Sequence, residues 1–370
     1  MLALSRRLPA LSSAVWHTSL PSRAVLELAG RDSRKLLQGL VTNDVEKLDE
    51  GPQFTAFLSA QGRVLYDAFL LNGKDGNVLI DVDRAVLSDM SVHLNRYKLR
   101  SKVVVRDVSH QYVVRVLCGS GLPGPAADSR RPCDGGAWAD PRLPMLGYRF
   151  LQPVDDAVPM PEESVEASPV LHALQLALLG VPEGARGFPK GEEMPLENNL
   201  HALNGVSFKK GCYLGQELTA RTHFRGVIRK RLLPVLDASL AESVSVALAE
   251  NSLPSVPAFA HLPTYEHAII SAILSARETA DSRHTGEALP VASEVSSDGM
   301  SLNDEKGKRT AQLRFFEPSL GVGLALCRLT AVKHEKLGQT LVTPRGDISL
   351  VPLRPDWWSD DMVPLSASEG

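Results

Sequence analysis

Cys212 stands in a run of residue types that can activate a thiol: Lys209-Lys210-Gly211-Cys212-Tyr213-Leu214-Gly215-Gln216-Glu217. A cysteine attacks carbon or binds metal as the thiolate, and nearby cations lower its pKa from about 8.5. Lys210 and Lys209 lie two and three residues before Cys212, and Arg221 lies nine after it. Gly211 and Gly215 flank the sulfur and let the backbone turn tightly. The pattern suits a reactive or ligating thiol. It also suits a buried structural cysteine, since free cysteines are among the most often buried residues. The other cysteines, Cys118, Cys133 and Cys327, are spaced irregularly, and the absence of a Cys-x-x-Cys pair excludes a zinc ribbon and a thioredoxin-type dithiol. Such spacing fits a reducing compartment. His201 and His223 have metal-binding chemistry but belong to no recognisable ligand spacing.

The elements that must hold this segment alternate between hairpins and helices. Val25 to Leu28 reads as a strand, and Asp32 or Ser33 can cap a helix carrying Leu36, Leu37 and Leu40. Phe54–Leu58 and Val64–Leu71 form a hairpin turning at Gln61-Gly62, and Val78–Val82 follows a strong turn. Ala85–Tyr97 has helical periodicity, and Val103–Val105 and Tyr112–Leu117 read as strands. Residues 119–144 read as an irregular Gly- and Pro-rich loop, with Cys118 and Cys133 in or beside it. Ser168–Leu179 is a helix, and 181–211 a long loop of the kind that serves a site. Gly215–Ala220 reads as a short helical turn. Arg229-Lys230-Arg231 reads as a solvated basic edge or as a docking surface for an acidic partner. Residues 240–310 are rich in Ser, Ala and Glu and read as a disordered insertion with one helix near Tyr265–Thr279. The strands from Gln312 onward form a small C-terminal β-unit containing Cys327 in its core, with Trp357 and Trp358 packed on it. The mixture of hairpins and helices makes the class α+β.

The chain has 370 residues, enough for two or three domains. Its net charge of -3 argues against a general nucleic-acid binder, although a local basic groove remains compatible with it. No apolar run reaches the roughly 18 residues that a membrane-spanning helix needs. Before Glu27 the chain carries Arg6, Arg7 and Arg23, several serines and no acid. This composition predicts a mitochondrial transit peptide over 1–23.

Several blocks, in order, resemble one family. Lys210-Gly211-Cys212-Tyr213-Leu214-Gly215-Gln216-Glu217, extended through Leu218–His223 and Gly226–Arg231, resembles the signature of the folate-binding proteins for iron–sulfur cluster assembly and repair. These are relatives of the glycine cleavage T-protein, an aminomethyltransferase. Leu36–Asp44, Gln61–Asp67, Pro195–Leu200, Gly321–Leu326 and Pro355–Trp358 are similar too, and the match is to the mitochondrial branch.

The resemblance implies a three-domain, T-protein-like ring around a folate-type channel. Domain 1 would be 24–60 plus 165–225 and domain 2 would be 61–164. A β-barrel over 226–358 would be interrupted by the 240–310 insertion, with a tail at 359–370. It implies a mitochondrial-matrix assembly factor, a binding and transfer protein rather than a conventional enzyme. Such a factor would act with A-type iron–sulfur carrier proteins in maturing [4Fe–4S] proteins. Tetrahydrofolate is the implied cofactor, with Asn43, Asp44, Asp67, Glu197 and Arg221 as binding candidates. Asn43 and Asp44 also read as a helix-end cap, and Glu197 as an ordering residue of its loop. Tyr66 stands where T-proteins usually carry a second aspartate, which weighs against aminomethyl transfer. Bound iron–sulfur clusters usually take four ligands, mostly thiolates. One cysteine in a suitable motif therefore predicts a transient [2Fe–2S] cluster shared between Cys212 and a carrier. The alternatives are a tetrahydrofolate-dependent one-carbon transferase and a scaffold that no longer uses folate.

Overall fold

The computed structural model describes residues 15–120, 122, 136–156, 159–250, 262, 266–273, 299–331, 336–359 and 362. The first two strands, β1 (Val15–Ser19) and β2 (Arg23–Ala29), part at once to different sheets. β2 joins β3 (Gln53–Leu58), β4 (Val64–Asn72), β5 (Val78–Asp83) and β6 (Val104–Asp107) in the order β3-β4-β5-β2-β6. β1 joins β7 (Tyr112–Gly119), β8 (Ala137–Ala139), β9 (Tyr148–Pro153) and β10 (Val165–Glu166) in the order β10-β1-β7-β9-β8.

Side chains of a strand alternate between its two faces, and the β2-bearing sheet uses both. Val25, Phe69, Leu71 and Leu79 point into one core with Trp16, Val116 and Leu151 of the other sheet. Leu26, Leu28, Tyr66, Ala68, Leu70, Ile80 and Val82 point into a second core, closed by Leu36, Leu37, Met90 and Leu94. Met90 and Leu94 come from the Leu87–Tyr97 helix. The β3–β4 hairpin turns where Gly62 adopts φ +78 and donates its N–H to the Ser59 carbonyl at 2.9 Å.

Lys230–Asp237 (β11), Ser301–Asn303 (β12), Arg309–Glu317 (β13), Val322–Arg328 (β14), Leu341–Val342 (β15) and Ser349–Pro352 (β16) close into a barrel, ordered β11-β14-β13-β12-β15-β16. The α+β class and the C-terminal barrel agree with the sequence reading, and Cys327 lies in the barrel core with Trp358.

At four places the structure and the sequence reading differ. The expected leader through residue 23 overlaps β1, whose Trp16 is fully buried and pairs with Cys118 and Val165. Only alternate residues of β1 face the core, so its polar half resembles a leader; residues 1–14 lie outside the described residues. A domain cut at 60/61 would split the β3–β4 hairpin, which is paired from Gln53↔Leu70 to Leu58↔Val64. Within the expected 119–144 loop, β8 pairs with β9, and Cys118 belongs to β7. In the 240–310 insertion, Asp237 caps a helix over Ala238–Ala249 where the sequence reading expects disorder. Residues 266–273 are helical, within the helix expected near Tyr265–Thr279, and bury Ala268, Ile269 and Ile270. The Ala238–Ala249 helix buries only the small Ala241 and Val244, a weak sequence signal. Residues 251–261, 263–265 and 274–298, and most of the 359–370 tail, lie outside the described residues.

Candidate functional site

Cys212 rides on a loop tied at both ends to the segment Gly39–Thr42, which follows the Ser33–Gln38 helix. Upstream, the Ser207 N–H donates to the Thr42 carbonyl at 3.0 Å, and the Thr42 hydroxyl donates to the Gly205 carbonyl at 2.6 Å. Downstream, the Leu214 N–H donates to the Gly39 carbonyl at 3.0 Å. Between them Lys210 turns inward. Its Nζ donates to the carbonyls of Val41 at 2.8 Å and Asn43 at 2.6 Å and lies 5.0 Å from the centre of the Tyr213 ring. Burial lowers the Lys210 ammonium to about 8, against Asp44 and Glu46. Burial also pushes the Tyr213 hydroxyl up to about 12. Lys210 is therefore an anchor under the loop, whereas Lys209 is exposed.

Gly215 ends the loop in the left-handed region at φ +79. A Cβ there would stand 2.3 Å from the Ser59 carbonyl oxygen and 2.9 Å from Leu58 Cβ, so only glycine lets the loop reach the β3–β4 turn. Gly211 is unlike it, because a Cβ there meets nothing within 4 Å. The helix that follows runs Gln216–Arg225, longer than the turn read from sequence. Its His223 lies on Phe208, which returns the helix end to the start of the loop.

Cys212 itself is exposed. Cys118 and Cys327 are fully buried, and burial pushes both thiols far up. Cys133 lies outside the described residues. Among the described residues, no three His, Cys, Asp or Glu side chains gather as a metal site. His201 is half-buried, and His223 is engaged in the stack on Phe208.

The five folate candidates sit in different surroundings. Asn43 spends its amide donors on the carbonyls of Phe54 and Asn204, each at 2.8 Å, and its Oδ1 accepts from the Asp44 N–H. Asp44 accepts from the Glu46 N–H as the N-cap of the Val45–Glu50 turn of 3-10 helix, so it opens the next element, while Gly39 ends the preceding helix. Glu197 is half-buried beside β11, where its carbonyl accepts from the Leu232 N–H; burial raises its carboxyl, with Lys230 opposing. Arg221 is exposed on the Gln216–Arg225 helix. Asp67 is buried on β4, its Oδ1 accepting from the Gly184 N–H at 3.0 Å while Oδ2 has no hydrogen-bond partner among the described residues. Burial pushes its carboxyl up to about 6, against the attraction of Arg23.

Asp67 borders a buried ionic cluster with no sequence signature. Arg23 and Arg149 both pair with Asp81, at 2.7 and 2.9 Å, and Arg142 pairs with Asp140 and Glu183, each at 2.7 Å. Burial alone would raise the Glu183 carboxyl, but Arg149, Arg142 and Arg23 outweigh it and hold it well below the usual range. Arg149 also lies over the Phe69 ring at 4.2 Å. Because Arg23 and Asp81 come from one sheet and Arg149 from the other, the cluster staples the two sheets together. Removing one member of such a buried pair typically costs about 3–5 kcal/mol. The basic run 229–231 is also not a uniform solvated edge. Arg229 is exposed, but Arg231 is buried, donating to the Met362 carbonyl at 2.9 Å and to Asn199 Oδ1 at 3.1 Å.

The chain is similar to several known proteins. Residues 229–360 match the family described as CAF17, C-terminal beta-barrel domain. Over 371 aligned residues, 95% of this chain and 87% of the relative, the chain is 34% identical to the "Iron-sulfur cluster assembly factor IBA57 homolog, mitochondrial" of Mycosarcoma maydis. It is 37% identical to the human "Iron-sulfur cluster assembly factor IBA57, mitochondrial" over 240 residues, 60% of this chain and 67% of that one. The fold is similar to that of the glycine cleavage system aminomethyltransferase T of Bartonella henselae, with a TM-score of 0.59, 11% identity, and coverage of 95% of this chain and 87% of that one.

Proposed function

This chain belongs to the family of mitochondrial iron–sulfur cluster assembly factors named IBA57 in other organisms, and we propose that it works in the mitochondrial matrix by lending Cys212 to a cluster shared with a partner protein. One observation carries the reading: Cys212 is exposed on an anchored loop, whereas Cys118 and Cys327 are sealed in cores. A cluster is the cargo here, and it usually needs four ligands, mostly thiolates. Cys212 supplies one and the partner supplies the rest. An A-type carrier presenting thiolates is the partner this chemistry calls for. A [2Fe–2S] unit bridged between the two proteins is the transferable state on the way to [4Fe–4S] clients. The chain's own part is to hold the sulfur in place: Lys210 and Gly215 fix the two ends of the loop, and the Phe208–His223 stack closes it.

The test is anaerobic mixing of the chain with a cluster-loaded A-type carrier. The complex should show a cluster absorption spectrum and deliver its cluster to an apo [4Fe–4S] protein. Cys212→Ala should abolish both; unchanged spectrum and delivery would overturn the reading.

A second reading, tetrahydrofolate binding, is favoured by Asp67 Oδ2, which has no hydrogen-bond partner among the described residues, because a carboxylate can pair with the amide-like edge of a pterin. Tetrahydrofolate, if bound, would supply a one-carbon carrier. Asp67 would orient the pterin, and the half-buried Glu197 would be a further acceptor. Asn43 and Asp44 fit this role poorly, since their polar atoms are engaged within their own turn. Calorimetric titration of tetrahydrofolate into the parent, Asp67→Asn and Glu197→Gln chains tests it. Equal heats in all three would exclude both carboxylates from a folate site.

A further inference from the structure

The surface beside Cys212 carries an apolar and basic patch that the cluster chemistry leaves unexplained. Phe224 is 67% exposed and Val227 is 69% exposed, two residues past the end of the Gln216–Arg225 helix. Phe224 is held rather than free. Its ring lies edge-on to His223 at 4.8 Å and to Phe208 at 6.1 Å, while those two rings stack at 3.6 Å. A rigid exposed aromatic loses little entropy when a partner covers it, and such residues dominate binding energy when they fill a pocket.

The charges around it are mostly positive. Over residues 207–229 the exposed charged side chains are Lys209, Arg221, Arg225 and Arg229 against Glu217. Arg221, Phe224 and Arg225 are spaced i, i+3 and i+4, so one helix face presents them together. The chain as a whole is net negative, at -3, so this patch is a local excess rather than a reflection of composition.

The patch is continuous with the thiol. Phe208 precedes Cys212 by four residues, which puts their Cα atoms at most about 14 Å apart. A standard interface covers about 800 Å² per partner, a patch roughly 30 Å across. It therefore takes in both Phe224 and Cys212.

We infer that the Phe208–His223–Phe224 triad, with Arg221, Arg225, Arg229 and Val227, is the docking surface for the cluster-bearing partner, a protein with an apolar cleft rimmed by carboxylates. This rests on the shared-cluster reading of Cys212 and adds its recognition element. Phe224 fills the cleft, the arginines steer the encounter, and Cys212 is delivered to the cluster edge. Electrostatic steering of this kind speeds association and weakens with salt.

The experiment titrates an A-type carrier, cluster-free and cluster-loaded, into the full chain under anaerobic conditions at several salt concentrations. Phe224→Ala should weaken binding of the cluster-free carrier about tenfold or more. Arg225→Glu combined with Arg229→Glu should slow association and flatten its salt dependence. Val92→Ala, a control at an equally exposed apolar residue of the Leu87–Tyr97 helix, should bind like the parent. Cys212→Ser should lose the cluster spectrum yet keep the cluster-free affinity. If the patch variants bind the cluster-free carrier as the parent does, the docking surface is overturned, whatever Cys212→Ser shows. If Cys212→Ser keeps the spectrum while the patch variants fail to bind, the shared-cluster reading falls and the surface stands. Vesicles rich in phosphatidylserine are the second probe. Binding to them that depends on Phe224, with carrier affinity unmoved, would reassign the patch to a membrane surface and overturn the proposal.

Discussion

Phe208 lies flat on His223, with ring centroids 3.6 Å apart and planes 9° from parallel. The contact closes a loop of fourteen intervening residues around Cys212 and turns the Gln216–Arg225 helix back onto its own entry. An aromatic pair of this kind is worth about 0.5–1.5 kcal/mol beyond its burial. Phe208→Ala should therefore barely move the melting temperature. It should raise amide exchange across 208–215 and speed alkylation of Cys212 by iodoacetamide, because the loop opens locally without global unfolding. Unchanged exchange in that segment would mean that the hydrogen bonds of Lys210 and Leu214 hold the loop alone.

Lys210 is the second fastening, and its cost depends on pH. Lys210→Met keeps much of the side-chain length but leaves the Val41 and Asn43 carbonyls without their donor. A buried acceptor left unsatisfied costs about 1–3 kcal/mol, so the variant should melt below the parent at pH 7. The folded ammonium titrates near 8, below its ordinary 10.5. Between those values the unfolded chain binds the proton more tightly, so the parent gains stability as pH rises through that window. The gap between parent and Lys210→Met should widen from pH 8 to pH 10. A gap that narrows would show that the charge, rather than the two donated hydrogen bonds, is what the site uses.

The two glycines that flank Cys212 should answer differently to alanine. Gly215→Ala puts a Cβ into the Ser59 carbonyl from a left-handed backbone, and should cost at least about 2 kcal/mol. Gly211→Ala meets open space and should stay within about 0.5 kcal/mol of the parent. Denaturant melts of the two variants decide it; equal losses would mean that the β3–β4 turn yields to accommodate the new methyl.

What could be read in the sequence was local. The β3–β4 hairpin announces itself by alternation and Gln61-Gly62, and the Cys212 run by its cations and glycines. The Gln216–Arg225 helix reads short in sequence because it buries only Thr219 and so shows no apolar stripe. β1 is hidden in sequence because half of it faces outward. Lys210 looked like a cation acting on Cys212, yet its Nζ points to carbonyls more than 160 positions away in the chain. The ionic cluster was beyond reach for the same reason: it gathers Arg23, Asp81, Arg142, Arg149 and Glu183 through sheet pairing, and no local spacing encodes that. Phe208 and Phe224 were missed because an aromatic beside a motif reads as core until its exposure is known.

Asp67 gives the clearest pH test of that buried region. Its carboxyl is raised to about 6 in the folded chain from its ordinary 3.8. Between those two values the folded state holds the proton more tightly. Its contribution to stability is therefore greatest below about pH 4, falls as pH climbs to 6, and stays low above that. The neighbours that set this are burial first, then Arg23 and Arg142 in attraction and Glu183 in repulsion. Asp67→Asn keeps the shape and the acceptor for the Gly184 N–H but never carries charge. It should melt above the parent at pH 7.5, by up to about 3 kcal/mol for a two-unit shift, and the two should converge near pH 4. Calorimetric melts at pH 4, 5, 6 and 7.5 measure the gap directly. If Asp67→Asn melts below the parent at pH 7.5, attraction to Arg23 and Arg142 outweighs burial, and Asp67 is a paired member of the cluster rather than a carboxyl held at its edge.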